Sequence, residues 1–220
     1  MNDLEQIAER IHLAFEQRSS VRDQALAHSR NLIRHCANAI RAIHRSEYEH
    51  AAEHLGQARQ LVDQMQTDLK DFPEIYFAGY TQDALKEYAE ASLVYQLIKQ
   101  QSLPSPEDLH LEYATYLQGL AESAGELRRR CLDALLNGNF EEAERCLSYM
   151  DDIYDVLVTM DYPDAITGGL RRLTDIVRSV TERTRGDLTL SLRQEILEKS
   201  LKRIEINHKP NRSNENNPGI

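Results

Sequence analysis

The chain has 220 residues, 41% of them hydrophobic and 28% charged, with a formal net charge of −10. That is enough apolar content to bury the core of one large domain or two small ones. The acidic balance argues against indiscriminate nucleic-acid binding, which needs Lys and Arg facing phosphate, although it leaves room for a local basic face. With nine Gly, six Pro and no Trp, and no run that reads as strands, the chain is expected to be all-helical. Cys36, Cys131 and Cys146 form no CxxC pair, which fits free buried thiols in a reducing cytosol. The N-terminal stretch MNDLEQIAERIHLAFEQ is amphipathic and charged, unlike a signal peptide. No apolar run approaches the roughly 20 residues of a membrane span. A cytoplasmic protein with no membrane partner is therefore expected.

Punctuation sets the elements in chain order. Ser20 with Asp23, Ser46 with Glu49, Ser105-Pro106 with Asp108, and Asn139 with Glu142 are N-terminal helix signals. Asp71-Phe72-Pro73 and Asp161-Tyr162-Pro163 mark two further starts, and Gly186 suits a C-terminal cap. The expected helices are residues 2–18, 21–45, 47–70, 74–102, 106–136, 140–160 and 163–185, with a shorter piece at 188–205. The first two are open to being one long helix with a break at Arg18-Ser19-Ser20. Stripes such as Ile166, Leu170, Leu173, Val177 and Val180, and Cys146, Met150, Ile153 and Leu157, support the assignment. Long helices with short connections suggest one antiparallel bundle over residues 1–205. The polar, Asn-rich stretch 206–220 is expected to be a disordered tail.

Three constellations carry chemistry. In QDALKEYAEA, residues 82–91, Asp83, Glu87 and Glu90 share one helical face with Tyr76, Tyr80, Val94 and Ile98. Carboxylates interrupting an aromatic and aliphatic stripe look partly enclosed, where they raise each other's pKa and suit a hard divalent cation. The competing reading is an ordinary charged face, with Lys86 pairing to Glu90. HAAEH, His50 to His54, matches a zinc-peptidase pattern with Glu53 as base, but no third ligand follows it. Arg30, Arg34, Arg41 and Arg45 lie on one face of the second helix, where guanidinium forks suit phosphate oxygens. The alternative there is salt bridging within the bundle or at a subunit contact. Arg128-Arg129-Arg130 spreads round its helix. There is no phosphate-binding P-loop, dinucleotide glycine fingerprint or G-x-S-x-G.

FPEIYFAGYTQDALKEYAEASLVYQLI (72–98), YLQGLAESAGELRRRCLDALLNGNFEEA (116–143), IYDVL (153–157) and DYPDAITGGLRRLTDIVRSVTERTRGDLT (161–189) together resemble the translin family. They are most similar to translin-associated factor X and its prokaryotic relatives. The resemblance implies a seven-helix bundle, here with a short extra C-terminal helix, assembling into a hollow octamer. It also implies Mg²⁺- or Mn²⁺-dependent endoribonuclease activity on single-stranded RNA, with single-stranded DNA as a second ligand. Carried over to this chain, the Glu-x-x-Glu pair falls on Glu87 and Glu90, the aspartate on Asp155, and a further family glutamate on Glu126. These four are the expected catalytic and metal-binding residues. Arg30, Arg34, Arg41 and Arg45 are the expected RNA contacts, with Tyr76 or Tyr80 stacking on bases. A prokaryotic homo-oligomer would carry a site in every subunit. The alternative is a non-catalytic translin-like protein that binds single-stranded RNA or DNA.

Overall fold

The structure, a computed structural model, describes residues 2–207, which form nine helices and no strand. Six are long: α1 (Asn2–His44), α2 (Tyr48–Asp68), α4 (Gly79–Ile98), α6 (Tyr113–Leu136), α7 (Phe140–Val158) and α9 (Leu170–Asn207). Three are single turns: α3 (Pro73–Tyr76), α5 (Pro106–Leu109) and α8 (Asp164–Thr167). The all-helical bundle is as expected, and each difference at a boundary has a local cause. Ser19 and Ser20 do not interrupt α1, because the segment has neither Gly nor Pro and Ser costs an exposed helix little. Gly186 does not end α9. Leu188 beyond it is buried with Cys131, Cys146 and Leu147, and Leu192 packs on them. Burying these side chains outweighs the roughly 1 kcal/mol that a helical glycine costs. The piece expected at 188–205 is thus the end of one 38-residue helix. Ser46, with φ of 60°, is the left-handed residue closing α1, and the N-cap of α2 is Glu47.

The expected caps at Ser105 and Asn139 form. Ser105 makes a full capping box with Asp108, and Asn139 accepts from the Glu142 amide. The helix begun by Ser105 ends after one turn because His110 turns left-handed, and α6 starts afresh at Tyr113. Likewise Pro73 opens only α3, and Pro163 is the N-cap of α8, which closes on Gly168 at a φ of 61°. The tail expected at 206–220 lies outside the described residues from residue 208 onward.

Short connections make α1 and α2, and α6 and α7, antiparallel neighbours. The connection from α4 to α6 is long. It runs back along α2, where the Arg59 guanidinium donates to the Asp108 carbonyl and the Gln66 amide donates to the His110 carbonyl. As a result α4 and α6 point the same way, with Gln82 beside Thr115 and Lys86 beside Glu122. The core falls into several clusters along the bundle. Leu32, Val62, Met65 and Leu85 join α1, α2 and α4, while Leu93, Leu127, Met150, Leu157 and Val177 join α4, α6, α7 and α9. Cys36 is free and buried in the first of these, and Cys131 and Cys146 are free and buried with Leu147 and Leu188.

The close contact that positions the site is Gly119 on α6. A Cβ there would lie 2.5 Å from Ala89 Cβ, 2.8 Å from the Lys86 carbonyl oxygen and 3.0 Å from the Glu90 nitrogen. Backbone therefore meets backbone at the turn of α4 that carries Glu87 and Glu90. Gly119→Ala is expected to destabilise the fold by about 1–3 kcal/mol, since the obstructing atoms are mostly main chain. Urea unfolding measures it; a variant as stable as wild type would show that α4 and α6 are not this close.

Candidate divalent-cation and nucleic-acid site

Glu122 and Glu126 follow Gly119 by three and seven residues, so all three occupy one face of α6. That face meets the carboxylate stripe of α4. Glu87, Glu90 and Glu122, all half-buried, each offer one oxygen, and these oxygens lie within 4.8 Å of one another. Glu90, Glu122 and Glu126 also line a groove of ≈ 320 Å³, whose far wall is Leu173, Ile176, Val177 and Val180 of α9.

The charges are not compensated in full. Lys86 Nζ lies 2.7 Å from Glu122 Oε1, so the lysine that the sequence offered to Glu90 serves Glu122 instead. Glu90 is pushed up to about 8, first by burial and then by Glu87, Glu122 and Glu126. Glu87 is also raised, again mainly by burial. Beneath them, burial and the same two glutamates raise the Cys36 thiol. Glu126 goes the other way. The hydrogen bond from His44, with Nε2 2.5 Å from Glu126 Oε2, holds its pKa down. Three carboxylate oxygens and a surplus of negative charge suit a hard divalent cation such as Mg²⁺ or Mn²⁺.

Of the expected metal ligands, the structure brings Glu87 and Glu90 together and sets Glu126 at the rim. Asp155 is not among them. Met150, Ile153 and Leu157 of α7 are buried against α6 and α9, and Asp155 on the opposite face of α7 is exposed. The sequence reading missed Glu122. Its signal was a second carboxylate pair, Glu122 and Glu126 at i, i+4, one turn after Gly119. Asp83 is exposed and acts on Glu87 and Lys86 only through its charge.

Arg30, Arg34, Arg41 and Arg45 are all exposed, and none forms an ion pair among the described residues. On α1 the four lie within about 60° of one another, between the direction of His44, the residue that reaches Glu126, and that of His35, which meets α2. By contrast Arg128 pairs with Asp187, Arg130 with Glu142, and Arg129 stands 3.9 Å from Glu126. Tyr76 and Tyr80 are half-buried, packed on Ala25, Leu69 and Ile75. The HAAEH pattern does not form a zinc site: His50 and Glu53 are exposed. His54 turns to His35, Nδ1 to Nδ1 at 3.2 Å.

The site is thus a carboxylate cluster between two parallel helices of an all-helical bundle, with exposed arginines free of ion pairs on α1. The chain belongs to the translin family, whose model matches residues 1–207. It is 35% identical over 191 residues to an uncharacterised protein of Methanocaldococcus jannaschii, covering 86% of this chain and 84% of that one. AfC3PO, solved in a complex with duplex RNA, superposes with a TM-score of 0.80 at 31% identity over 86% of this chain and 97% of that one. The crystal structure of apo-NeC3PO shares the fold, with a TM-score of 0.77 at 22% identity over 83% and 96%.

The carboxylate cluster has a pH signature. Glu90 has a raised pKa in the folded chain, so its contribution to stability is present below the ordinary carboxylate range and is lost as pH rises toward 8. Without divalent cation, wild type is expected to lose on the order of 2 kcal/mol relative to Glu90→Gln between pH 5 and 8.5. Parallel stability curves for the two proteins in EDTA would show that Glu90 ionises freely.

Proposed function

We propose that the protein is a Mg²⁺- or Mn²⁺-dependent endoribonuclease acting on single-stranded RNA. The observation that carries this reading is the convergence of Glu87, Glu90 and Glu122 from two helices, their oxygens within 4.8 Å of one another. These three would hold the cation, with Glu126 as a fourth carboxylate beside them. A bound divalent cation supplies Lewis-acid polarisation of the phosphodiester and a water of lowered pKa. The protein's own part is to bring the carboxylates together against their repulsion, to keep Glu126 ionised, and to wall the groove with the apolar side of α9. Arg30, Arg34, Arg41 and Arg45, exposed and without ion-pair partners, would hold phosphates. Their local concentration reconciles RNA binding with a net charge of −10. The likeness to AfC3PO, whose solved complex contains duplex RNA, supports RNA as the ligand class. Three free thiols suit a cytoplasmic setting, and no helix among the described residues is long and apolar enough to cross a membrane.

Incubation with single-stranded and duplex RNA in Mg²⁺, Mn²⁺ or EDTA tests the reading. Wild type is expected to cleave the single strand only with metal. Glu87→Gln with Glu90→Gln, and Glu122→Gln alone, are expected to lose at least 100-fold in rate, while Asp155→Asn stays within about twofold. Arg34→Glu with Arg41→Glu is expected to weaken binding and flatten its salt dependence by roughly 0.7 per lost phosphate contact. Cleavage that survives EDTA and all the glutamate changes would remove the site. Retained binding with no turnover in any metal would identify a non-catalytic RNA-binding protein instead.

We also propose that the chain self-assembles, as an octamer. Residues 3–20 of α1 are exposed apart from half-buried Ala14. Their stripe of Leu4, Ile7, Ile11 and Phe15 is 43–73% exposed, as is a second stripe on α9 formed by Leu190, Leu197, Leu201 and Ile204. A lone helix end of this length is marginal in water, and apolar stripes of this size call for a partner. Light scattering is expected to give eight times the 25.3 kDa chain mass; a monomer would refute the assembly.

A further inference from the structure

His44 is the last residue of α1, and its side chain is only 4% exposed. Its backbone is held firmly. Ile43 beside it is fully buried against Val94 of α4. The chain then closes through hydrogen bonds from the Ser46 amide to the Ile43 carbonyl and from the Glu47 amide to the Ala42 carbonyl. The imidazole therefore projects from a fixed base. Its Nε2 meets Glu126 Oε2 at 2.5 Å, while its Nδ1 is buried with no partner. This asymmetry assigns the tautomer. A proton on Nδ1 would leave a buried donor unsatisfied and turn a lone pair on the carboxylate. A proton on Nε2 instead donates to Glu126 and leaves only a bare acceptor in the core.

Glu126 has one competing partner. Arg129 Nη1 stands 3.9 Å from the same oxygen and is 56% exposed, so without His44 the long glutamate side chain would swing outward to it. Held by His44, Glu126 stays in the groove it shares with Glu90 and Glu122. A buried imidazole that donates to a carboxylate beside a cation site is the arrangement that orients ligands and tunes their basicity.

We propose that His44 is a positioning residue, fixing the Glu126 carboxylate beside Glu87, Glu90 and Glu122 so that divalent-cation affinity and turnover depend on it while RNA affinity does not. The inference rests on the reading of that cluster as a cation site. It also ties the α1 arginines to the α6 carboxylates, because one side chain near the end of the arginine stripe touches one member of the acidic group.

The test uses full-length protein with His44→Phe, which keeps the ring volume without a donor, and His44→Gln, which restores one. Mn²⁺ affinity is measured by calorimetry, RNA affinity in EDTA, kcat and KM in Mn²⁺, and the tautomer by ¹⁵N NMR of labelled histidine. His44→Phe is expected to lose about tenfold or more in Mn²⁺ affinity and in kcat with RNA binding unchanged. His44→Gln is expected to recover most of both. Wild-type Mn²⁺ affinity in His44→Phe, or equal losses in the two variants, would overturn the positioning role. A His44 proton on Nδ1 overturns this inference alone. A wild type with the Nε2–H tautomer that binds no Mn²⁺ overturns the cation reading and this inference with it.

Discussion

Everything at the candidate site depends on how closely α6 approaches α4. Two helices that carry carboxylates on facing surfaces repel each other, and the carboxylates meet only if the backbones are held together. Gly119 permits that approach, with no side chain between its Cα and the main chain of Lys86–Glu90. The apolar contacts that continue along the same pair, Leu93 and Leu97 against Leu120, Ala124 and Leu127, hold it. Burial of these groups supplies the free energy that keeps three glutamates side by side.

The same constraint divides the acidic residues. Burial comes first for Glu90 and Glu87, whose pKa values rise; neighbouring carboxylates add to it, while Lys86 opposes it, most strongly at Glu87. Glu126, at the rim, keeps its charge because it accepts from His44. Glu122 has Lys86. The group is thus a set of carboxylates whose partners differ: Glu126 on an imidazole, Glu122 on an ammonium, Glu87 eased by the charge of that same Lys86, and Glu90 with burial and repulsion foremost. Such a group has the charge and oxygen donors that a hard cation takes, and Arg30, Arg34, Arg41 and Arg45 are exposed without ion pairs among the described residues.

The direction of α6 is the less obvious part of the architecture. Antiparallel neighbours follow from short connections, and α1–α2 and α6–α7 obey this. The return of the 99–112 segment along α2, pinned by Arg59 and Gln66, turns α6 parallel to α4. A parallel pair keeps its register along its length, so Glu122 and Glu126 follow Glu87 and Glu90 up the bundle. An α6 entering from the other end would present its carboxylates in the reverse order along α4.

Local chemistry was legible in the sequence wherever the interaction is local. The Ser105–Asp108 box, the Asn139 cap, the Glu87–Glu90 spacing and the apolar stripe of α7 all depend on residues within a turn or two of each other, and all stand in the structure. Local signals misled where packing outweighed them. Gly186 and Ser19-Ser20 look like ends, yet burial carries α9 through the first, and no packing or turn residue opposes continuation through the second. By itself the sequence determined the helical class, most helix starts, the Glu87–Glu90 pair of the carboxylate cluster and the arginine stripe of α1. Only the tertiary structure decided that Glu122 joins Glu87 and Glu90, that Lys86 serves Glu122, and that His44 reaches Glu126. Those pairings join residues 32 to 82 positions apart, and which of them meet is set by helix direction and backbone approach, which no helical period encodes.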